Sequence, residues 1–218
     1  MIAQRQNFEN REALAKALAD RVARGLSRAV SRQGSAALAV SGGTTPALFF
    51  EHLSREEISW EKVTVTLVDE RQVDEQSPRS NARLVKQSLL QNHAQSARFI
   101  PLYQNQSAAE TLNLDVVVLG MGEDGHTASF FPGGDHLSAA LDKKSQGVIT
   151  TMKAPAAGEP RLTFTLAALL KAKVLCLQVE GQKKHDVLEA AIAGTDAMAM
   201  PIRAFLQADQ PLEIFWCP

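Results

Sequence analysis

The sequence predicts an α/β fold in which a mostly parallel β-sheet is covered by helices on both faces. Three observations carry that expectation. Short apolar runs, too brief to be buried helices, alternate along the chain with amphipathic stretches of helical period. Three of these runs end abruptly in polar turns, at Ser41, Asp69 and Gly120. Helix-start and helix-stop residues punctuate the intervals between them.

From Phe8 to about Gln33, Leu14, Leu18, Val22, Leu26 and Val30 recur at helical spacing among charged residues, which predicts a long amphipathic first helix closed by Gly34. Ala36 to Val40 is wholly apolar and bounded by Ser41-Gly42-Gly43, the pattern of a buried strand. Thr44-Thr45-Pro46 then reads as a threonine N-cap with proline in the first helical position, predicting helix from Pro46 to about Leu53. Val63 to Val68 is β-branched and alternating, a second strand that runs into Asp69-Glu70-Arg71. Asn81 to about Leu90 reads as helix. Leu114 to Leu119 is the cleanest buried strand and feeds the turn from Gly120 to His126. Further strands are predicted at Val148 to Met152, Leu162 to Thr165, Val174 to Val179 and Glu213 to Trp216, with a helix from about Lys184 to Ile192. If the strands ending at Val40, Val68 and Leu119 are parallel, their polar turns meet at one sheet edge, where open α/β sheets bind ligands.

At 218 residues the chain is expected to form one domain, residues 1–218, with enough length to bury a core. Lys and Arg number 23 against 24 Asp and Glu, so the net charge of -1 supplies no general field for nucleic acid or an anionic membrane, and neither partner is expected. Any anion must be held by local groups. Charged residues interrupt the first twenty positions, so no secretion signal is expected, and no apolar run reaches membrane-spanning length. Cys176 and Cys217 form neither a metal-ligand spacing nor a disulfide framework, which points to a reducing cytoplasm.

Ser41-Gly42-Gly43-Thr44-Thr45-Pro46 sets small residues, hydroxyls and unpaired N–H groups at a helix start, where the dipole favours negative charge. That arrangement suits a phosphate cradle, although a plain tight turn would look similar. No Walker lysine accompanies it, which disfavours nucleoside triphosphates. Gly120-Met121-Gly122-Glu123-Asp124-Gly125 matches the dinucleotide fingerprint after a strand, but Pro132-Gly133-Gly134 breaks the chain before a long helix can form, so dinucleotide binding is not expected. The glycines instead allow a tight turn that presents Asp124 and His126 at the strand end. Histidine titrates near neutrality and suits a general base. His52, His93, His136 and His185 have no comparable neighbours and read as surface or packing residues. Asp69 and Arg71, two apart at a strand end, can point the same way while Glu70 points away. Arg161 and Lys184, near a strand start and a helix start, could both meet phosphate.

Taken together, Ser41 to Pro46, Val68 to Arg71 with Ser80-Asn81, Leu119 to Ser129 with Phe131-Pro132, Pro160 to Thr163, and Gly181 to Lys184 resemble the 6-phosphogluconolactonase family over about residues 36–206. The resemblance implies a Rossmann-like three-layer sandwich shared with glucosamine-6-phosphate deaminase. It further implies hydrolysis of 6-phospho-D-glucono-1,5-lactone to 6-phosphogluconate, the second step of the oxidative pentose phosphate pathway, without metal or organic cofactor. The protein would act as a monomer or weak homodimer. By position, Ser41, Gly42, Gly43, Thr44, Thr45, Arg161 and Lys184 would hold phosphate, Asp69 and Arg71 would line the sugar site, and His126 would be the acid/base. Either Asp124 or Asp69 would orient its imidazole, and Arg71 or backbone N–H groups would stabilise the oxyanion. Ala156-Ala157-Gly158 departs from a family loop usually richer in proline. The related deaminase shares the turn but has a glutamate where this chain has Phe131, which favours the hydrolase; a non-catalytic sugar-phosphate sensor is a further alternative.

Overall fold

The computed structural model describes residues 4–218. In chain order the elements are β1 (Gln4–Asn7), α1 (Arg11–Gln33), β2 (Ala36–Val40), α2 (Ala47–Ser54), β3 (Val63–Leu67), β4 (Asp69–Arg71), α3 (Asn81–Ser88), β5 (Arg98–Phe99), α4 (Gln106–Glu110), β6 (Val116–Gly120), α5 (Leu137–Ala140), β7 (Ile149–Met152), β8 (Arg161–Phe164), α6 (Leu166–Leu169), β9 (Val174–Glu180), α7 (Gln182–Ala193), α8 (Arg203–Leu206) and β10 (Glu213–Cys217). No helix among the described residues is long and apolar enough to cross a membrane.

Seven strands form one sheet in the order β1-β10-β9-β6-β2-β3-β5, and every adjacent pair is parallel. The inner strands are buried throughout or nearly so, because helices and loops leave neither face to water, and their continuous apolar sequences are what such burial selects. Helix α1 lays Leu14, Leu18, Val22 and Leu26, all fully buried, onto this core. It starts at Asn10, whose side chain accepts from the Ala13 N–H, and stops at Gly34 in the left-handed conformation.

From β2 the chain moves outward to β3 and β5, then returns to place β6 on the other side of β2. Progression along the sheet therefore reverses between β2 and β6. At such a switch point the connections leave in opposite directions and open a crevice beyond the strand ends. The turns after β2 and β6 are the two that the sequence marks as a phosphate cradle and a histidine mount.

Three expectations need correction. Asp69–Arg71 does not extend the preceding strand as a charged terminus, and the predicted strands near 148–152 and 162–165 do not enter the parallel sheet. β4, β8 and β7 form a separate three-stranded antiparallel sheet in that order. The chain leaves the parallel sheet at Val68, whose carbonyl accepts from the Phe164 N–H. A ladder partner so far along the chain cannot be inferred from local alternation. Likewise, Pro46 sits at the N-cap of α2 and no side chain caps that helix. The Thr45 hydroxyl accepts instead from Lys184 Nζ at 3.3 Å, so the group expected to cap the helix is engaged elsewhere.

Glu70 points away from the sugar-site side as expected, but its destination is structural. It is 2% exposed, and its carboxylate accepts from the N–H groups of Arg71, Asn81 and Ala82 and from the Ser80 hydroxyl. These bonds pin the start of α3 to β4. Burial pushes the Glu70 carboxyl up, while the backbone N–H groups pull it back. Glu70→Gln turns one acceptor oxygen into an amide donor facing N–H and O–H groups, leaving buried donors unmet. Urea denaturation should show a loss of about 1–3 kcal/mol; an unchanged midpoint would refute this role.

Candidate active site

A cavity of about 300 Å³ opens beyond the carboxyl ends of β2 and β6. Its lining includes Ser41, Gly42, Gly43, Thr44, Thr45, Asp69, Arg71, His126, Arg161 and Lys184, so ten residues singled out from five separate stretches of sequence share one space. Asp124 is not part of the lining and reaches the site through His126.

The cradle begins where β2 ends. Ser41 is fixed by both ends of its residue: its N–H donates to the Val118 carbonyl, and its hydroxyl accepts from the Gly120 N–H at 3.0 Å, tying the two turns together. Gly43 has φ +90°, a left-handed conformation that L side chains resist, and it bends the chain toward α2. Among the described residues, the N–H groups of Gly42, Gly43, Thr44 and Thr45 have no hydrogen-bond partner. Four free donors with a lysine ammonium against Thr45 have the donor chemistry that an anion would need. Desolvation lowers the Lys184 pKa, with Glu180 and Glu123 opposing it. Gln178, buried within β9, donates to the Thr45 carbonyl and to Glu180, and so supports the cradle from below.

The turn after β6 forms no helix; the next helical residues are Leu137–Ala140. This removes the structural context of a dinucleotide fingerprint. The Gly122 N–H donates to the His126 carbonyl, the Thr127 hydroxyl to the Gly120 carbonyl, and the Ile202 N–H to the Gly125 carbonyl, so the turn is closed on itself and braced from outside. Asp124 Oδ1 accepts from the His126 N–H at 3.1 Å and lies 2.5 Å from His126 Nδ1. Since an ionised carboxylate only accepts, Nδ1 is the donor in this contact. Burial raises the Asp124 carboxyl, but hydrogen bonds and charge from His126 outweigh it and hold the group below its ordinary range. The imidazole ring also stacks on Phe131, with centroids 4.3 Å apart and planes at 28°.

Gly122 is where this geometry becomes demanding. A Cβ there would overlap Nδ1 and Cε1 of His126 and approach Asp124 Oδ1 to 2.7 Å. The glycine is thus required by proximity to the pair that follows it.

The antiparallel sheet supplies the remaining wall. Asp69, 6% exposed, accepts from the Ser129 hydroxyl at 2.6 Å and lies 3.9 Å from Arg161 Nη1. Arg161 is buried, donates to the carbonyls of Ala157 and Glu159, and stacks over Phe131 at 5.4 Å. Desolvation lowers its pKa, with Asp69 opposing. Arg71 donates to the Arg79 carbonyl, but its buried Nε has no partner among the described residues.

Asn81, Gln178 and Phe131 also line the cavity, and none had been assigned a site role. Asn81 Nδ2 donates to the Asp69 carbonyl, and its side chain fills the space that a Cβ at Gly42 would need. Only Gln178 carries an independent sequence signal, as the one polar residue inside the run from Val174 to Val179.

Fold and cavity together define a doubly wound α/β protein whose cavity sets a turn of free backbone N–H groups and a lysine in one space with a carboxylate-backed histidine. Residues 9–216 match the model of the Glucosamine-6-phosphate isomerases/6-phosphogluconolactonase family, and the chain belongs to that family. A 6-phosphogluconolactonase of Rhizobium meliloti strain 1021 is 53% identical, with 97% of each chain covered. One from Pseudomonas aeruginosa PAO1 is 45% identical over 94% of this chain and 90% of its own. The crystal structure of a 6-phosphogluconolactonase from Shewanella baltica OS155 superposes with a TM-score of 0.95 at 37% identity, covering 99% of this chain and 98% of that one. A monomeric glucosamine-6-phosphate deaminase shares the fold, with a TM-score of 0.79 at 18% identity over 98% and 97% of the two chains.

Proposed function

We propose that this chain hydrolyses 6-phospho-D-glucono-1,5-lactone to 6-phosphogluconate in the cytoplasm. The observation that carries this reading is that His126, backed by Asp124, shares one cavity with a cradle whose four N–H groups are free among the described residues and with an ammonium. The 6-phosphogluconolactonase relatives, at up to 53% identity along nearly the whole chain, support the substrate. Ser41, Gly42, Gly43, Thr44, Thr45 and Lys184 receive the phosphate, with Arg161 adding positive charge from the wall. Bound phosphate fixes C1 relative to His126.

In the first half-step Nε2 of His126 takes a proton from water as its oxygen bonds to C1, and the carbonyl electrons move onto the exocyclic oxygen. Arg71, which lines the cavity, or backbone N–H groups there stabilise that oxyanion. In the second, the carbonyl re-forms, the bond from C1 to the ring oxygen breaks, and the imidazolium returns its proton to the departing oxygen. Asp124 keeps Nδ1 protonated throughout, so the reactive nitrogen is always Nε2. Asp69 acts at one remove, holding Ser129 and balancing Arg161.

Turnover of freshly made lactone, followed as acid release above the spontaneous rate, tests the reading. Binding without turnover would favour a sensor, and ammonia from glucosamine 6-phosphate would favour the deaminase. Lys184→Ala should raise KM about tenfold with little change in kcat, because phosphate contacts form in the ground state as well. An unaltered KM would remove Lys184 from the phosphate site. Arg161→Ala should also raise KM, but Arg161 supports two buried carbonyls, so its urea midpoint must be read alongside.

A further inference from the structure

At the opposite edge of the parallel sheet, where β6 and β9 begin, α1 and the strand starts line a second, open pocket of about 210 Å³. Arg21, Arg28, Arg32 and Lys173 line it, with Asp115 as the single carboxylate. Arg21, Gly25, Arg28 and Arg32 recur at intervals of one helical turn, which aligns them in a stripe along α1. Gly25 lets the stripe lie close to the sheet: a Cβ there would stand 2.9 Å from Val116 Cγ2 and 3.3 Å from Val174 Cγ2.

The acids nearby are already committed. Asp115 accepts from the Ala37 N–H at 2.9 Å and from Gln33 Nε2 at 3.1 Å. Glu213 holds Arg21 through paired bonds of 2.7 and 2.5 Å. Among the described residues, Arg28, Arg32 and Lys173 form no salt bridge and no side-chain hydrogen bond. Arg28 and Arg32 are like charges at i and i+4, an arrangement that destabilises a helix until a counter-charge sits between them. The helix macrodipole accounts for Arg32 in the last turn of α1, but not for Lys173 on a different element. Two guanidinium forks and an ammonium, all three exposed, around a pocket open to solvent match the oxygens of a phosphate or diphosphate group.

We propose that this far-edge cavity binds a small phosphorylated anion carrying two or more negative charges, independently of the site at His126. Inorganic pyrophosphate is the probe, titrated calorimetrically into the full chain at fixed ionic strength. The wild-type protein should show a bound equivalent that Arg28→Ala/Arg32→Ala loses or binds at least about tenfold more weakly. That variant should keep its kcat and KM for the lactone, since neither arginine lies near the catalytic cavity. Lys184→Ala should retain the same equivalent, which separates the far cavity from the cradle. Indistinguishable isotherms for the wild-type and double-arginine proteins would overturn the proposal, as would loss of the equivalent in Lys184→Ala alone.

Discussion

His126→Ala is expected to lower kcat for lactone hydrolysis by about 10²–10⁴-fold, the usual worth of a positioned general acid/base. In the proposed mechanism both proton transfers pass through one imidazole, which leaves no second group to take over either half-step. Phosphate binding should survive, because the cradle belongs to β2, α2 and α7 and has no hydrogen bond to the His126 side chain. Calorimetry with 6-phosphogluconate should therefore give an affinity within a few-fold of wild type. The lactone opens spontaneously, so the rate must be read above that background. A variant with normal kcat would end the mechanism, while one that lost product binding in parallel would show that His126 serves the ground state.

Gly122→Ala is expected to lower kcat by about 10²-fold without removing any functional group. The added methyl cannot coexist with the present positions of the imidazole and Asp124 Oδ1, so the pair must shift by a sizeable part of an ångström or more. Displacements on that scale commonly cost about two orders of magnitude in rate, since attack depends on the distance and direction of the general base. Binding of 6-phosphogluconate and the urea midpoint should change far less. This combination distinguishes misplacement of the pair from collapse of the turn. Unchanged kcat would mean that the couple tolerates displacement, and the argument from its close geometry would fail.

The five inner strands of the parallel sheet were legible because burial on both faces demands continuous apolar runs, and α1 because its apolar residues keep the helical period; the edge strands β1 and β5, short and largely exposed, carry no such run and were not predicted. The cradle, His126 and Lys184 were legible for a related reason: small, polar or titratable residues directly after buried strands, or at a helix start, stand out from their surroundings. Less visible was anything set by a partner distant in the chain. The antiparallel sheet joins Asp69–Arg71 to Arg161–Thr163 across about ninety residues, and local pattern carries no record of that pairing. Thr45 followed capping rules in sequence, yet Lys184 is what its hydroxyl meets.

The glycine turn shows where the division falls. Its residue types determined that the chain would bend sharply after a buried strand and present a histidine, because only glycines leave room for such a turn. They could not determine whether Asp124 or Asp69 would back the imidazole. Tertiary structure decided that by committing Asp69 to Ser129 beside Arg161 and leaving Asp124 against Nδ1. Backbone bending is governed by residues in direct succession, whereas a carboxylate's partner is chosen by which donors the folded chain brings within about 3 Å.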